Sequence, residues 1–129
     1  MRLTKDQREV LRYKYGGYCA YCGETLEDSW ERDHLVPIRR NWEYKNGKQV
    51  FTDCLNPEYD TLENSMPSCK PCNRDKSSLT LESWREMLAN KITCLNRDSS
   101  TYRIAKRFDL VLETNEKVVF WFEKYEKGL

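Results

Sequence analysis

His34 is the only histidine in the 129-residue chain, and it follows a carboxylate directly in Arg32-Asp33-His34-Leu35-Val36-Pro37. An imidazole titrates near neutrality, so it can take a proton from water at cellular pH. Thirty residues on, the run Asn64-Ser65-Met66-Pro67-Ser68-Cys69-Lys70-Pro71-Cys72-Asn73-Arg74-Asp75-Lys76 brings amides, cations and thiols together. Acid–base and metal-ligating side chains therefore converge between Arg32 and Lys76, and the chemistry is sought there.

Four of the six cysteines form two Cys-x2-Cys pairs, Cys19/Cys22 and Cys69/Cys72. Two residues between thiolates let one turn offer both sulfurs to a tetrahedral Zn²⁺, and Gly23 can take the positive φ that such a knuckle needs. A single histidine excludes a site of two cysteines and two histidines within one chain. Isolated thiol pairs or a redox Cys-x-x-Cys are the alternatives, but a redox motif has no need of a second copy. Cys54 and Cys94 have no such partner and read as buried small hydrophobes.

The elements that must position these groups are legible in outline. Thr4-Lys5-Asp6-Gln7 has the form of a capping box opening a helix that Gly16-Gly17 ends. That helix carries Arg2, Lys5, Arg8, Arg12 and Lys14 against Asp6 and Glu9, which reads first as a solvated face. Residues 30–36 read as a short strand stopped by Pro37, Asn64 to Pro67 as a second, and Pro71 onward as a helix start. Between the strands, residues 38–63 show no sustained period and read as a long loop, with a hairpin signal at Asn46-Gly47. Long loops in compact domains tend to be functional, and Arg39, Arg40, Lys45 and Lys48 lie in or beside this one. Leu81, Trp84, Leu88 and Ile92 have helical spacing after Thr80, and a shorter helix spans Tyr102 to Phe108. Leu110-Val111-Leu112 and Val118 to Phe122 resemble a terminal β-hairpin around Thr114-Asn115.

Composition bounds the class. With 33% charged, 39% hydrophobic and 12% aromatic residues the chain is too apolar for disorder and too charged for a membrane protein. Its length suits a single domain over residues 1–129. No apolar run is long enough to cross a bilayer and no signal-peptide core follows Met1, so the expected location is the cytoplasm. A net charge of +1 argues against a non-specific polyanion binder and leaves room for a local basic patch.

Asp33-His34-x-x-Pro37, then Asn64, then Cys69-x2-Cys72-Asn73-x2-Lys76, resembles the motif of the HNH endonucleases in the variant whose last histidine is asparagine. The framing cysteines are similar to those of zinc-stapled HNH proteins of bacteria and phages. The resemblance implies an α+β fold: a small ββα-metal core over about residues 19–76, stapled by zinc on Cys19, Cys22, Cys69 and Cys72. Flanking helices and the C-terminal β-hairpin over 77–129 would complete it. It implies hydrolysis of DNA phosphodiester bonds with His34 as general base and Mg²⁺ or Mn²⁺ held by Asp33 and Asn73. Asn64 would brace the loop that carries the base. Arg39, Arg40, Arg74 and Lys76 are the candidates for substrate phosphate. The expected partner is DNA, with phage packaging proteins if the chain is phage-encoded, as a monomer or homodimer. A non-catalytic zinc module that binds nucleic acid or protein is the competing expectation.

Overall fold

The computed structural model describes residues 1–126. It is a small α+β protein with two two-stranded antiparallel sheets. The chain separates into two compact units, one formed by Met1–Leu81 with the chain from Phe120 onward, the other by Glu82–Val119.

In the first unit, helix α1 (Lys5–Arg12) starts on a complete capping box. Thr4 Oγ1 accepts from the Gln7 amide at 3.1 Å, and Gln7 Oε1 accepts from the Thr4 amide at 2.9 Å. Two orphan donors are thereby satisfied. Three of the cations around α1 reach other segments. The Arg8 guanidinium lies 4.1 Å from the centre of the Trp30 ring, Arg12 donates to the Leu26 carbonyl, and Lys14 donates to the carbonyls of Glu63 and Ser65. These contacts tie α1 to the chain that follows it, while Lys5, Asp6, Arg8 and Glu9 remain exposed, as a solvated face requires.

Strand β1 (Glu31–His34) pairs antiparallel with β4 (Ser65–Ser68), with Asp33 opposite Met66 and His34 opposite Ser65. Every residue of β4 is buried. Between them, β2 (Arg40–Lys45) and β3 (Lys48–Cys54) form a second ribbon whose turn is Asn46-Gly47. Both turn residues have positive φ, 52° and 75°, as a two-residue hairpin loop requires. The segment expected as a loop is thus largely a hairpin. A 3₁₀ turn (Pro57–Tyr59) leads back to β4, and helix α2 (Lys70–Lys76) follows directly, with Pro71 in its first turn.

The core of this unit comprises Leu11, Tyr15, Tyr21, Leu26, Trp30, Met66, Phe120 and Phe122. The last two correct the expected C-terminal β-hairpin. Val118 to Phe122 is no strand: Trp121–Glu126 is helix α6, and no strand lies beyond β4 among the described residues. The backbone N–H groups of Trp121 and Phe122 donate to the carbonyls of Tyr21 and Ala20 at 3.0 and 2.8 Å. Glu123 reaches back to cap the Phe120 amide at 3.0 Å. Those bonds use the donors that a strand ladder would need and turn the chain into a helix.

The second unit holds α3 from Glu82 (the helix spans Leu81–Ala89), α4 (Lys91–Asp98) and α5 (Ser100–Arg107). Ser99 caps α5 by accepting from the Tyr102 amide at 3.1 Å. Glu113 folds the following segment back by accepting from Asn96, Tyr102 and Lys106 at 2.7–3.0 Å. Those donors, led by Asn96, hold its carboxyl down at about 2. Leu110 and Leu112, expected in the hairpin, are exposed. No helix among the described residues is long and apolar enough to cross a membrane.

Candidate metal centre and adjoining cleft

Cys19, Cys22, Cys69 and Cys72 come together, their sulfurs all within 4.8 Å of one another. A tetrahedral ion with Zn–S bonds of about 2.3 Å places neighbouring sulfurs about 3.8 Å apart. The Cys22 and Cys69 sulfurs are 3.8 Å apart. The donor set and its spacing therefore fit a four-thiolate zinc site. Local structure explains the convergence: Gly23, at φ 79°, closes the first knuckle, and the second pair spans the start of α2. The Ala20 amide donates to the Pro67 carbonyl at 2.8 Å, which fixes one pair against the other. The thiols also feel one another. A hydrogen bond from Cys72 holds the Cys19 thiol down at about 4, whereas burial, followed by charge from Cys19 and Cys69, pushes Cys22 up to about 12. Of the unpaired cysteines, Cys54 and Cys94 are half-buried, more open than expected.

Beside this centre, β1 and α2 meet through matched spacing. Glu31 and Asp33, two apart, share one face of the strand, and Asn73 and Lys76, three apart, share one face of the helix. Asn73 Nδ2 donates to Glu31 Oε1 at 3.2 Å, and Lys76 Nζ lies 3.0 Å from Asp33 Oδ2. The same ammonium donates to the His34 carbonyl at 3.0 Å, and the Tyr21 hydroxyl donates to Asp33 Oδ2. Burial, reinforced by the charge on Asp33, pushes the Tyr21 hydroxyl well above its ordinary value, so it remains a donor. Lys76 has no exposed surface. The expectation that it meets substrate phosphate is corrected: its charge is spent inside, on Asp33.

On the other face of β1, Arg32 and His34 both meet Asp60. His34 Nε2 is 2.9 Å from Asp60 Oδ1, Arg32 donates to the same oxygen at 3.1 Å, and the Met1 amino group pairs with Oδ2. The Met1 amino group above all, then His34 and Arg32, holds the Asp60 carboxyl down at about 2 against the opposing effect of burial. An ionised carboxylate accepts only, so His34 Nε2 carries the proton and Nδ1 is the basic nitrogen.

Asn64 staples the chain that follows β1. Its Oδ1 accepts from the Val36 amide at 2.9 Å, and its Nδ2 donates to the carbonyls of Val36 and Tyr59 at 2.9 and 2.7 Å. Asn56 does the same at the foot of the β2–β3 hairpin, bonding the Arg39 amide at 2.7 Å and the Pro37 carbonyl at 3.1 Å.

These elements surround a cleft of about 590 Å³ whose walls include Asp33, His34, Arg39, Arg40, Phe51 and Asn73. Five of the residues singled out from sequence thus share one space. Asn64 stands behind it, and Arg74 lies on the exposed surface of α2, not among the residues that line the cleft. Asp33 makes both its contacts through Oδ2, and Asn73 bonds through Nδ2. Each keeps one oxygen for another ligand. Sequence reasoning missed Tyr21, Glu31, Asp60 and Phe51. Glu31 could have been found by its two-residue step from Asp33, but nothing in residues 38–63 singles out Asp60.

No family model, curated protein or solved structure matches the chain. The functional reading accordingly rests on the residues and their arrangement.

Proposed function

We propose that this protein is a metal-dependent DNA endonuclease of the HNH type, its β1–β4 ribbon and α2 serving as a ββα-metal platform over structural zinc. One observation carries the reading: Asp33, His34 and Asn73, brought from a strand and a helix far apart in sequence, border one cleft with Arg39 and Arg40. Phosphodiester hydrolysis needs a base for water, positive charge around the phosphate and relief for the departing 3′ oxygen. In this reading His34, steadied by Asp60 at Nε2, accepts at Nδ1 the proton of the water that attacks phosphorus. The bond from phosphorus to O3′ breaks as the new one forms. Arg39 and Arg40 hold the non-bridging oxygens as charged forks. Asp33 and Asn73 offer oxygens only, a donor set suited to Mg²⁺ or Mn²⁺, which would supply charge neutralisation at the phosphate and leaving oxygen.

The test is nicking of supercoiled plasmid with Mg²⁺ or Mn²⁺. His34→Ala, verified as folded and zinc-loaded, is expected to cut about 10² to 10⁴-fold more slowly. Equal rates for variant and parent would overturn the mechanism.

One observation favours a second reading, a non-catalytic zinc module for nucleic acid or protein. Asp33 already has a cation, Lys76, at 3.0 Å, so this carboxylate is paired without a divalent ion. The same assay separates the two, since this module would bind without cutting under any metal.

A further inference from the structure

The β2–β3 ribbon presents an unusual face. Residues opposite one another across an antiparallel pair, and residues two apart along a strand, point the same way. Trp42 is paired with Phe51 and Tyr44 with Gln49, so Trp42, Tyr44 and Phe51 share one side. All three rings are open to solvent, at 51%, 71% and 60% exposure, and every residue of β2 is exposed. Trp42 and Tyr44 meet edge to face with centroids 5.2 Å apart, which holds both rings upright on the ribbon. So many aromatic rings together on an open surface mark an interaction site.

Two features of the ribbon indicate what binds there. Between residues 38 and 54 lie four cations and two carboxylates; Lys45 and Lys48, opposite one another in the register, alternate to the other face with Lys45 paired to Glu43, and Arg39 and Arg40 line the cleft at the foot of the ribbon. The aromatic face is also continuous with the cleft, because Phe51 belongs to both. A cleft lined by arginines that opens onto exposed rings suits single-stranded nucleic acid, the charges tracking phosphates while bases stack on the rings. An intact duplex keeps its base faces covered and offers the ribbon only edges and backbone.

We infer that the β2–β3 ribbon is a stacking platform for unpaired bases of DNA, and that the cleft is fed with single-stranded or branched DNA in preference to uninterrupted duplex. The inference rests on the endonuclease reading for the identity of the polymer. It predicts binding whether or not the cleft cuts.

The experiment uses the full chain carrying His34→Ala, so that substrate survives, and fluorescein-labelled 20-nucleotide probes of one sequence as single-stranded DNA, a forked junction, duplex DNA and RNA. Single-stranded and forked DNA are expected to bind more tightly than duplex. Adding Trp42→Ala is expected to weaken single-strand binding by about 5- to 150-fold while leaving duplex binding unchanged, and Trp42→Phe to retain most of it. Because Trp42 is exposed, melting temperature and zinc content should not move, and they are measured alongside. Duplex bound as tightly as single strands, RNA bound more tightly than DNA, no binding to any probe, or Trp42→Ala binding like its parent would each overturn the inference. Parallel cleavage assays on the parent chain, with His34 and Trp42 both intact, on single-stranded, forked and plasmid DNA keep the two readings apart. Stacking without cleavage would refute the nuclease and spare the platform, and cleavage with single-strand affinity unaltered by Trp42→Ala would do the reverse.

Discussion

Asp33 lies under two demands: it is nearly buried, and one of its oxygens is held by the Lys76 ammonium and the Tyr21 hydroxyl. A charge in that position is tolerated only while paired, and removing one partner of a buried pair costs about 3–5 kcal/mol. Lys76→Met keeps the volume of the side chain and deletes the charge, so it is expected to destabilise the zinc-loaded protein by about that amount in urea titrations. Adding Asp33→Asn to the same chain should recover part of the loss, because the stranded carboxylate is then gone. An unchanged midpoint for Lys76→Met alone would mean that the ammonium does not hold Asp33. This pairing also marks the limit of what could be read from sequence at the level of single residues. A lysine near the end of a seven-residue helix reads as exposed, and only the docking of α2 on β1 puts it inside. Asp33, His34 and Asn73 were singled out by residue type and order along the chain and come to one cleft, whereas Asp60 sits in an aperiodic stretch and meets His34 solely through the fold.

At the scale of elements, local chemistry predicted well wherever the chain satisfies its own backbone. The capping box at Thr4, the Asn46-Gly47 hairpin turn and the helix opened by Pro71 all act within a few residues, while the strand expected to run to Pro37 ends earlier, at His34. The C-terminal apolar run failed because its donors go to Ala20 and Tyr21, about a hundred residues away, which no local pattern encodes. Two glycines separate conformational from packing demands. Gly47 has φ +75° with nothing within 4 Å of an added Cβ, so Gly47→Ala carries the left-handed backbone penalty alone, about 1 kcal/mol. Gly23 has φ +79°, and an added Cβ would meet the Trp121 ring at 3.0 Å. Since Gly23 also closes the first cysteine knuckle, Gly23→Ala should lower the melting temperature by more than Gly47→Ala and should speed zinc release to a chromogenic chelator. Equal melting temperatures and equal release would show that the knuckle does not depend on Trp121 packing over it.

For the molecule as a whole, the question is what makes β1, β4, α2 and the two chain ends of the first unit cohere around so few apolar side chains. The thiolates answer it by position. Cys19 and Cys22 belong to the knuckle that also receives α6, while Cys69 and Cys72 open the helix that carries Asn73 and Lys76. One ion bound by all four would join the N-terminal segment, the end of β4, α2 and the C-terminal helix at a single point. Apparent binding free energies for structural zinc run to about 10–16 kcal/mol, as large as the whole stability of an ordinary domain, and binding energy at a site absent from the unfolded chain is folding energy. Cys69→Ser is therefore expected to lose bound zinc and cooperative melting together, and a strong chelator should unfold the parent in the same way, with zinc measured by elemental analysis and folding by near-ultraviolet circular dichroism. If the proposed nuclease reading holds, cutting at the cleft should vanish with it, since the ion would be what holds the elements carrying Asp33 and Asn73 together. If Cys69→Ser melts like its parent, the thiols are free, and the union of β1 with α2 must rest on the Asp33–Lys76 pair and the aromatic core alone.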